Sequence, residues 1–309
     1  MKESIRASLI YSSSELEKYF EHGKVKDWTK GLEDSVEAVN RFGAEHSWAD
    51  LADHKTPLPS GYARSLQYYK DETLLTLYAF ASLDLLGDPD RKAERRKHLD
   101  ALMKRAFGDD WDGFKCPRIQ LETQIPAPRS YQEFQRKSDT GPYSHPVKYV
   151  RAIAKKSGPI EGATHVDALI EDEDRKVLFE AKFLSDISDQ TTYDIQRNQI
   201  ARNLDVGLSA VNGNTANLYF ILITPKLFRE NPASRLYGYK LPEYKEDPST
   251  IQRDLPHLPP ETDFVEMAKH IGWVTWEEIW GILQASEAFQ DPDGQIEDFF
   301  AERRVLPTA

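Results

Sequence analysis

A single cysteine, Cys116, excludes an internal disulfide and any thiolate-held metal cluster. No stretch approaches about 18 uncharged apolar residues, the length a membrane-spanning helix needs, so no membrane partner is expected. The first residues, Met1-Lys2-Glu3-Ser4-Ile5-Arg6, place charges where a secretory signal needs an apolar run. Internal repeats and low-complexity tracts are lacking too. These absences lead to the expectation of a soluble, cytoplasmic protein.

What is present argues for a folded chain. Of its 309 residues 39% are hydrophobic, with 6 Trp, 14 Tyr and 14 Phe, a composition unlike that of disordered segments. The length suits one large domain or two smaller ones. The net charge of −11 is unevenly spread: residues 241–309 hold 15 acids and 5 bases, residues 1–240 hold 36 acids and 35 bases. Overall acidity therefore does not exclude a nucleic-acid partner, for which a local basic face is what matters.

Ser12-Ser13-Ser14-Glu15 reads as a helix entry. Trp28, Leu32, Val36, Val39 and Phe42 keep helical spacing within residues 27–54. The longest helical signal runs from about Ala63 to Leu86 and ends at Gly87 and Pro89. Its Glu72 reads as a solvated or paired carboxylate, with a buried functional acid as the alternative. Residues 91–105 form a second helix with seven bases against two acids, either a phosphate-tracking face or a solvated surface. Ile119, Leu121 and Thr123 alternate with Gln120, Glu122 and Gln124, which predicts a half-buried strand over residues 118–125.

Ser130 to Tyr143 reads as a surface loop. Lys148, Arg151, Lys155 and Lys156 form a second basic cluster on an expected short helix. After residue 183, Asp186 or Ser188 is expected to cap a helix from about Gln190 to Leu208, with Gln196, Gln199 and Asn203 as a polar stripe on one side. Asn217 to Thr224 is an apolar run that fits an interior strand. The strand, helix, strand order requires a crossover and hence a mixed sheet. Beyond Lys240, Pro242, Pro248, Pro256, Pro259 and Pro260 predict an extended linker or surface wrap. Thr275-Trp276-Glu277-Glu278 is a capping box opening a helix. Asp291-Pro292-Asp293-Gly294 is a turn, because it lacks the other ligands of a calcium loop.

Residues 160–183 carry the chemistry. Two apolar, β-branched segments flank the polar run Glu171-Asp172-Glu173-Asp174-Arg175, which predicts a hairpin. Symmetric closure puts Ile170 opposite Val177, Leu169 opposite Leu178 and Asp167 opposite Glu180. Opposed residues of an antiparallel pair lie roughly 4.5–5.5 Å apart at Cβ, and like charges there repel. Lys182 shares the face of Glu180 by the period of 2. Two carboxylates and a lysine on an otherwise apolar hairpin make a site for a hard divalent cation. A salt-bridge ladder across the hairpin is the structural alternative, disfavoured by the apolar flanks, where an unpaired carboxylate is costly. His165, on the same face as Asp167, reads as a polar neighbour. Glu161 is a candidate third acid and Glu122 a weaker fourth.

Asp167, followed thirteen residues later by Glu180-Ala181-Lys182, resembles the PD-(D/E)XK motif of restriction-endonuclease-like nucleases. The likeness spans at most residues 118–225 and is sharp over 161–205. Val166 departs from it, standing where the motif's proline precedes the first acid. The resemblance implies that Asp167, Glu180 and the Ala181 carbonyl hold Mg²⁺ (or Mn²⁺), with Glu161 as a further ligand. It also implies that Lys182 orients the attacking water and that Arg197, Gln199, Arg202 and Asn203 hold the substrate backbone. The fold it implies is α/β, of α+β type with a mixed sheet. Its nuclease-like core would be residues 111–240, after a helical region at 1–110 and before a linker and acidic helical unit at 241–309.

The expected function is a Mg²⁺-dependent DNA endonuclease of restriction or phage-defence type, with the terminal regions supplying target recognition, homodimer contacts or regulation. Three alternatives stay open: an RNA or repair nuclease, a catalytically silent nucleic-acid-binding module, and an interaction protein whose hairpin charges are structural.

Overall fold

A computed structural model describes residues 9–20, 33, 34, 36–41, 43, 44, 72–140, 160–189, 197–291 and 293–306. Five strands form one mixed sheet in the order of the sequence. They are β1 (Arg118–Ile125), β2 (Thr164–Asp172), β3 (Arg175–Ala181), β4 (Leu218–Thr224) and β5 (Ile271–Thr275). β1 to β3 pair antiparallel, whereas β4 and β5 add in parallel. The hairpin has the predicted register, with Leu169 facing Leu178 and Ile170 facing Val177. It turns more tightly than the polar run implied, on Glu173-Asp174 alone, with Glu173 at φ 52°.

Helices cover both faces. On one lie α1 (Glu72–Leu83), α2 (Lys92–Phe107), α8 (Trp276–Gln284) and α9 (Gln295–Glu302), sharing a core with Ile119, Ala168, Val177, Phe179 and Ile221. Leu74 through Leu83 are all buried, which makes α1 the central helix its apolar pattern predicts. Its expected beginning near Ala63 lies outside the described residues. On the other face α4 (Gln199–Ala210), α5 (Tyr237–Glu246), α6 (Ser249–Asp254) and α7 (Phe264–Lys269) pack over Leu169, Leu178, Phe220 and Leu222. α4 is the crossover between β3 and β4. It approaches the sheet so closely that a Cβ at Gly207 would come within 2.5 Å of a Leu218 methyl.

Four local expectations change. Residues 129–140 form helix α3 (Arg129–Thr140) rather than a loop, with Tyr131 buried. α4 starts at Gln199 and is capped by the Asn198 side chain, which accepts from the Ala201 N–H at 3.0 Å. Asp186 instead accepts from the Leu236 and Tyr237 N–H groups at the head of α5, at 2.6 and 3.4 Å. The proline-rich stretch is helical through α5 and α6, because Tyr237, Leu241, Tyr244, Ile251 and Leu255 keep helical spacing and are buried. Pro242 lies inside α5 and Pro248 at the N-cap of α6, where a missing N–H costs least. β5, unforeseen in sequence, arises from the 241–309 segment and joins the sheet next to β4.

The Thr275 capping box forms as predicted. At the expected Asp291 turn, whose Pro292 lies outside the described residues, the Gly294 N–H donates to the Asp291 carbonyl at 3.0 Å and the Asp291 carboxylate accepts from the Ile296 and Glu297 N–H groups. Among the described residues, no helix is long and apolar enough to cross a membrane.

Candidate active site

The site lies at the open end of the β2–β3 hairpin. One step beyond the pair Ala168 and Phe179, the register sets Asp167 across from Glu180. Asp167 Oδ2 accepts from the Ala181 N–H at 2.7 Å, whereas Oδ1 accepts no hydrogen bond among the described residues. Glu180 is 1% exposed. Its Oε1 accepts from Gln199 Nε2 at 2.5 Å and meets Lys182 Nζ at 2.7 Å, while Oε2 accepts from Asn203 Nδ2 at 2.7 Å. The two acids are thus offset unequally, by three donors converging on Glu180 and one N–H on Asp167.

The electrostatics follow from that asymmetry. Burial and then the neighbouring Glu180 push the Asp167 carboxyl well above its usual range; Lys182 and the Ala181 N–H work against them, and Glu122 adds to the rise. Burial opposes the charge on Lys182, but Glu180, Asp167 and Glu72 outweigh it and hold the ammonium above its ordinary value. The lysine is therefore a cation at neutral pH.

Glu72, read from sequence as a solvated or paired acid, belongs to this site. It is the first described residue of α1. Its Oε2 stands 3.8 Å from Lys182 Nζ, and its Oε1 accepts from the Phe183 N–H at 2.8 Å and the Ser185 hydroxyl at 2.5 Å. In the sequence it was a carboxylate within the apolar helical pattern of residues 63–86, read as solvated or paired. Glu122 lies between the ladder pairs Leu121–Ala168 and Thr123–Val166, which sets it across from Asp167. Its φ of 48° is uncommon outside glycine. The strands change face there: Leu121 and Ala168 belong to one core, Ile125 and Val166 to the other.

Other predicted site residues sit elsewhere or act differently. Glu161 is fully buried, and its Oε1 is shared by Arg197 at 3.2 Å and Arg202 at 3.3 Å. Burial raises its pKa against those two guanidiniums. Both arginines engage this one oxygen, whereas the buried Oε2 of Glu161 accepts no hydrogen bond among the described residues. Arg197, 1% exposed, also pairs with Asp205 at 2.8 Å and stacks 3.7 Å above the Tyr131 ring. Its charge is met inside the fold by Glu161 and Asp205, and Asp205 meets His257 at 3.0 Å as well. Arg202, on α4, keeps partial exposure. Gln199 and Asn203 turn to Glu180 rather than outward, and Gln196 lies outside the described residues. His165 hydrogen-bonds Gln124 across β1 and β2 at 2.6 Å.

The basic helix forms as α2 and borders a cavity of about 750 Å³ beside the end of α8. Arg91, Lys97 and Arg105 there are balanced by Asp90, Glu94 and Glu287. Arg95 is spent on Asp84 at 2.6 Å. The second basic cluster, Lys148 to Lys156, lies outside the described residues.

Among the described residues no group of three or more His, Cys, Asp or Glu side chains is arranged around a metal position. The donors that fit a hard cation are Asp167, through its unengaged oxygen, and Glu180, two opposed acids whose repulsion a cation would relieve. Comparison with known proteins assigns no family: no family model, no curated protein and no solved structure matches this chain.

Proposed function

We propose that this chain is a metal-dependent nuclease of the PD-(D/E)XK kind, a DNA endonuclease with a restriction-endonuclease-like core. The observation that supports it most is the meeting of Asp167, Glu180 and Lys182 at one hairpin end, with the ammonium 2.7 Å from one acid and the other acid keeping an open oxygen. Asp167, Glu180 and the Ala181 carbonyl would hold Mg²⁺ or Mn²⁺. Such an ion, when bound, polarises the phosphate and lowers the pKa of a coordinated water. Lys182 brings a fixed positive charge to where negative charge builds up on the phosphate oxygens during hydrolysis. Gln199 and Asn203 act one step removed, by fixing the Glu180 carboxylate. Glu72 holds the backbone beyond Lys182 and shares its ammonium.

A second reading, a nucleic-acid-binding module without catalysis, draws on Glu180, whose two oxygens are already engaged by three donors. One assay separates the two. Purified protein is incubated with plasmid, linear and single-stranded DNA and with RNA, in Mg²⁺, Mn²⁺ or EDTA. Products that depend on metal support the nuclease; binding without products supports the module; neither binding nor products sinks both.

A further inference from the structure

The loop leaving β3 is held from two sides. Glu72 grips Phe183 and Ser185. On the other side Arg235 Nη2 donates to the Leu184 carbonyl at 3.2 Å, and Asp186 accepts from the Leu236 and Tyr237 N–H groups. Residues 227–239 therefore form the rim of the site next to Lys182, outside the carboxyl ends of the parallel strands β3 and β4, where ligands of open α/β sheets bind.

This rim has an unusual composition. The other cations in and beside it are neutralised: Lys226 pairs with Glu230 at 3.3 Å, Arg229 with Glu278 at 2.7 Å, and Lys240 with Glu243 at 2.8 Å and Asp254 at 3.0 Å. Arg235 pairs with no carboxylate among the described residues. It donates to the Ser234 and Leu184 carbonyls and engages the Tyr237 hydroxyl, and its guanidinium lies 4.2 Å above the Phe228 ring. A stacked guanidinium with no acid partner is a pre-oriented phosphate receptor. Around it three large apolar side chains face solvent: Leu184 at 50%, Tyr239 at 59% and Leu227 at 62% exposure. The Tyr239 hydroxyl donates to the Ala233 carbonyl at 3.3 Å, which folds its ring back over the segment that carries Arg235.

We propose that this rim receives a DNA single strand, with Arg235 on a backbone phosphate beside the reacting one and Tyr239 stacked on an unpaired base. The assignment rests on the nuclease reading for its substrate class. A duplex hides its base faces, so exposed apolar and aromatic groups beside a lone cation suit a strand whose bases are free to stack. Phosphate contact and stacking together explain why these groups stay uncovered at this one edge.

Fluorescence anisotropy with a labelled 20-nucleotide single strand and the matching duplex tests it, in Ca²⁺ and in EDTA, on the whole protein. The single strand should bind at least about tenfold more tightly than the duplex. Arg235→Ala should weaken single-strand binding about tenfold and flatten the slope of log affinity against log salt by about 0.7, the value for one phosphate contact. Tyr239→Ala should weaken it about tenfold, the scale of one lost stack, and Tyr239→Phe should restore it. Lys115→Ala, at the far hairpin end where Lys115 pairs with Glu173, is the charge-matched control, and melting curves of each variant verify folding.

Equal affinity for duplex, or Arg235 and Tyr239 variants that match Lys115→Ala, would overturn the inference. So would a wild type that binds no single strand. Metal-dependent cleavage by the same preparation reports separately on the nuclease reading, which survives if products form while these binding predictions fail. Preference for an RNA strand over DNA would overturn the choice of DNA.

Discussion

Glu72 accepts a hydrogen bond from the Phe183 N–H at 2.8 Å across 111 residues of sequence, and its other oxygen lies 3.8 Å from Lys182 Nζ. One acid on the central helix thus fixes the backbone that follows the lysine and contributes to holding its charge. Glu72→Ala leaves the Phe183 N–H and the Ser185 hydroxyl without their acceptor. Hydrogen bonds to ionised groups are worth about 1.5–3 kcal/mol, so urea denaturation should show a loss of roughly 2 kcal/mol. Amide exchange at Phe183 should quicken. Unchanged exchange there would show that the clamp is not formed in solution.

Asp167 makes stability depend on pH in a definite direction. Its folded pKa is raised by burial and by Glu180, so the folded state binds this proton more tightly than the unfolded chain does. Between the unfolded carboxylate value of about 3.9 and the raised folded value, stability falls as pH rises, and the cost is complete above the folded value. Asp167→Asn removes the charge but keeps an acceptor for the Ala181 N–H. It should stabilise the protein by up to about 1 kcal/mol at neutral pH, the scale of opposed like charges, with the gain vanishing below about pH 4. Denaturation at a series of pH values measures both, and a gain independent of pH would contradict the account.

Arg197 should behave as a structural residue. It joins Glu161 and Asp205 in the interior and stacks on Tyr131. Arg197→Ala strands two buried carboxylates and should cost roughly 3–5 kcal/mol, measured by chemical denaturation with or without metal. A fully stable variant with weakened nucleic-acid binding would return Arg197 to the substrate.

Those residues mark how far sequence reasoning reached. The hairpin and the Asp167–Glu180 opposition were legible because a period of 2 and a polar turn define a register within about twenty residues. The mixed sheet was legible from a buried run at Leu218–Thr224 that needed a crossover. Glu72 was not, since only tertiary packing brings α1 to the loop after β3. Arg197 read as a donor on a polar helix because sequence carries no sign of the Glu161 and Asp205 carboxylates waiting inside. Proline content concealed the helical spacing of Tyr237, Leu241 and Tyr244 in α5. β5 is five residues abutting a helix cap, too short for its alternation to stand out.

Cation binding has a readout that needs no substrate. A ligand at 100 times its dissociation constant stabilises the folded state by about 2.7 kcal/mol. Mg²⁺ or Mn²⁺ at that excess should therefore raise the melting temperature of the wild type, and Asp167→Asn should abolish the shift. An equal shift in the variant would move the cation away from Asp167.

The most direct measurement is the single-turnover rate of DNA cleavage in Mg²⁺ by the wild type and by Lys182→Ala. The account predicts metal-dependent products from the wild type and a rate lower by about 10²–10³-fold in the variant, the usual cost of losing one preorganised charge-stabilising donor, with melting behaviour showing both proteins folded. A variant that cuts as fast as the wild type, or a folded wild type that cuts nothing in Mg²⁺ or Mn²⁺, would contradict it.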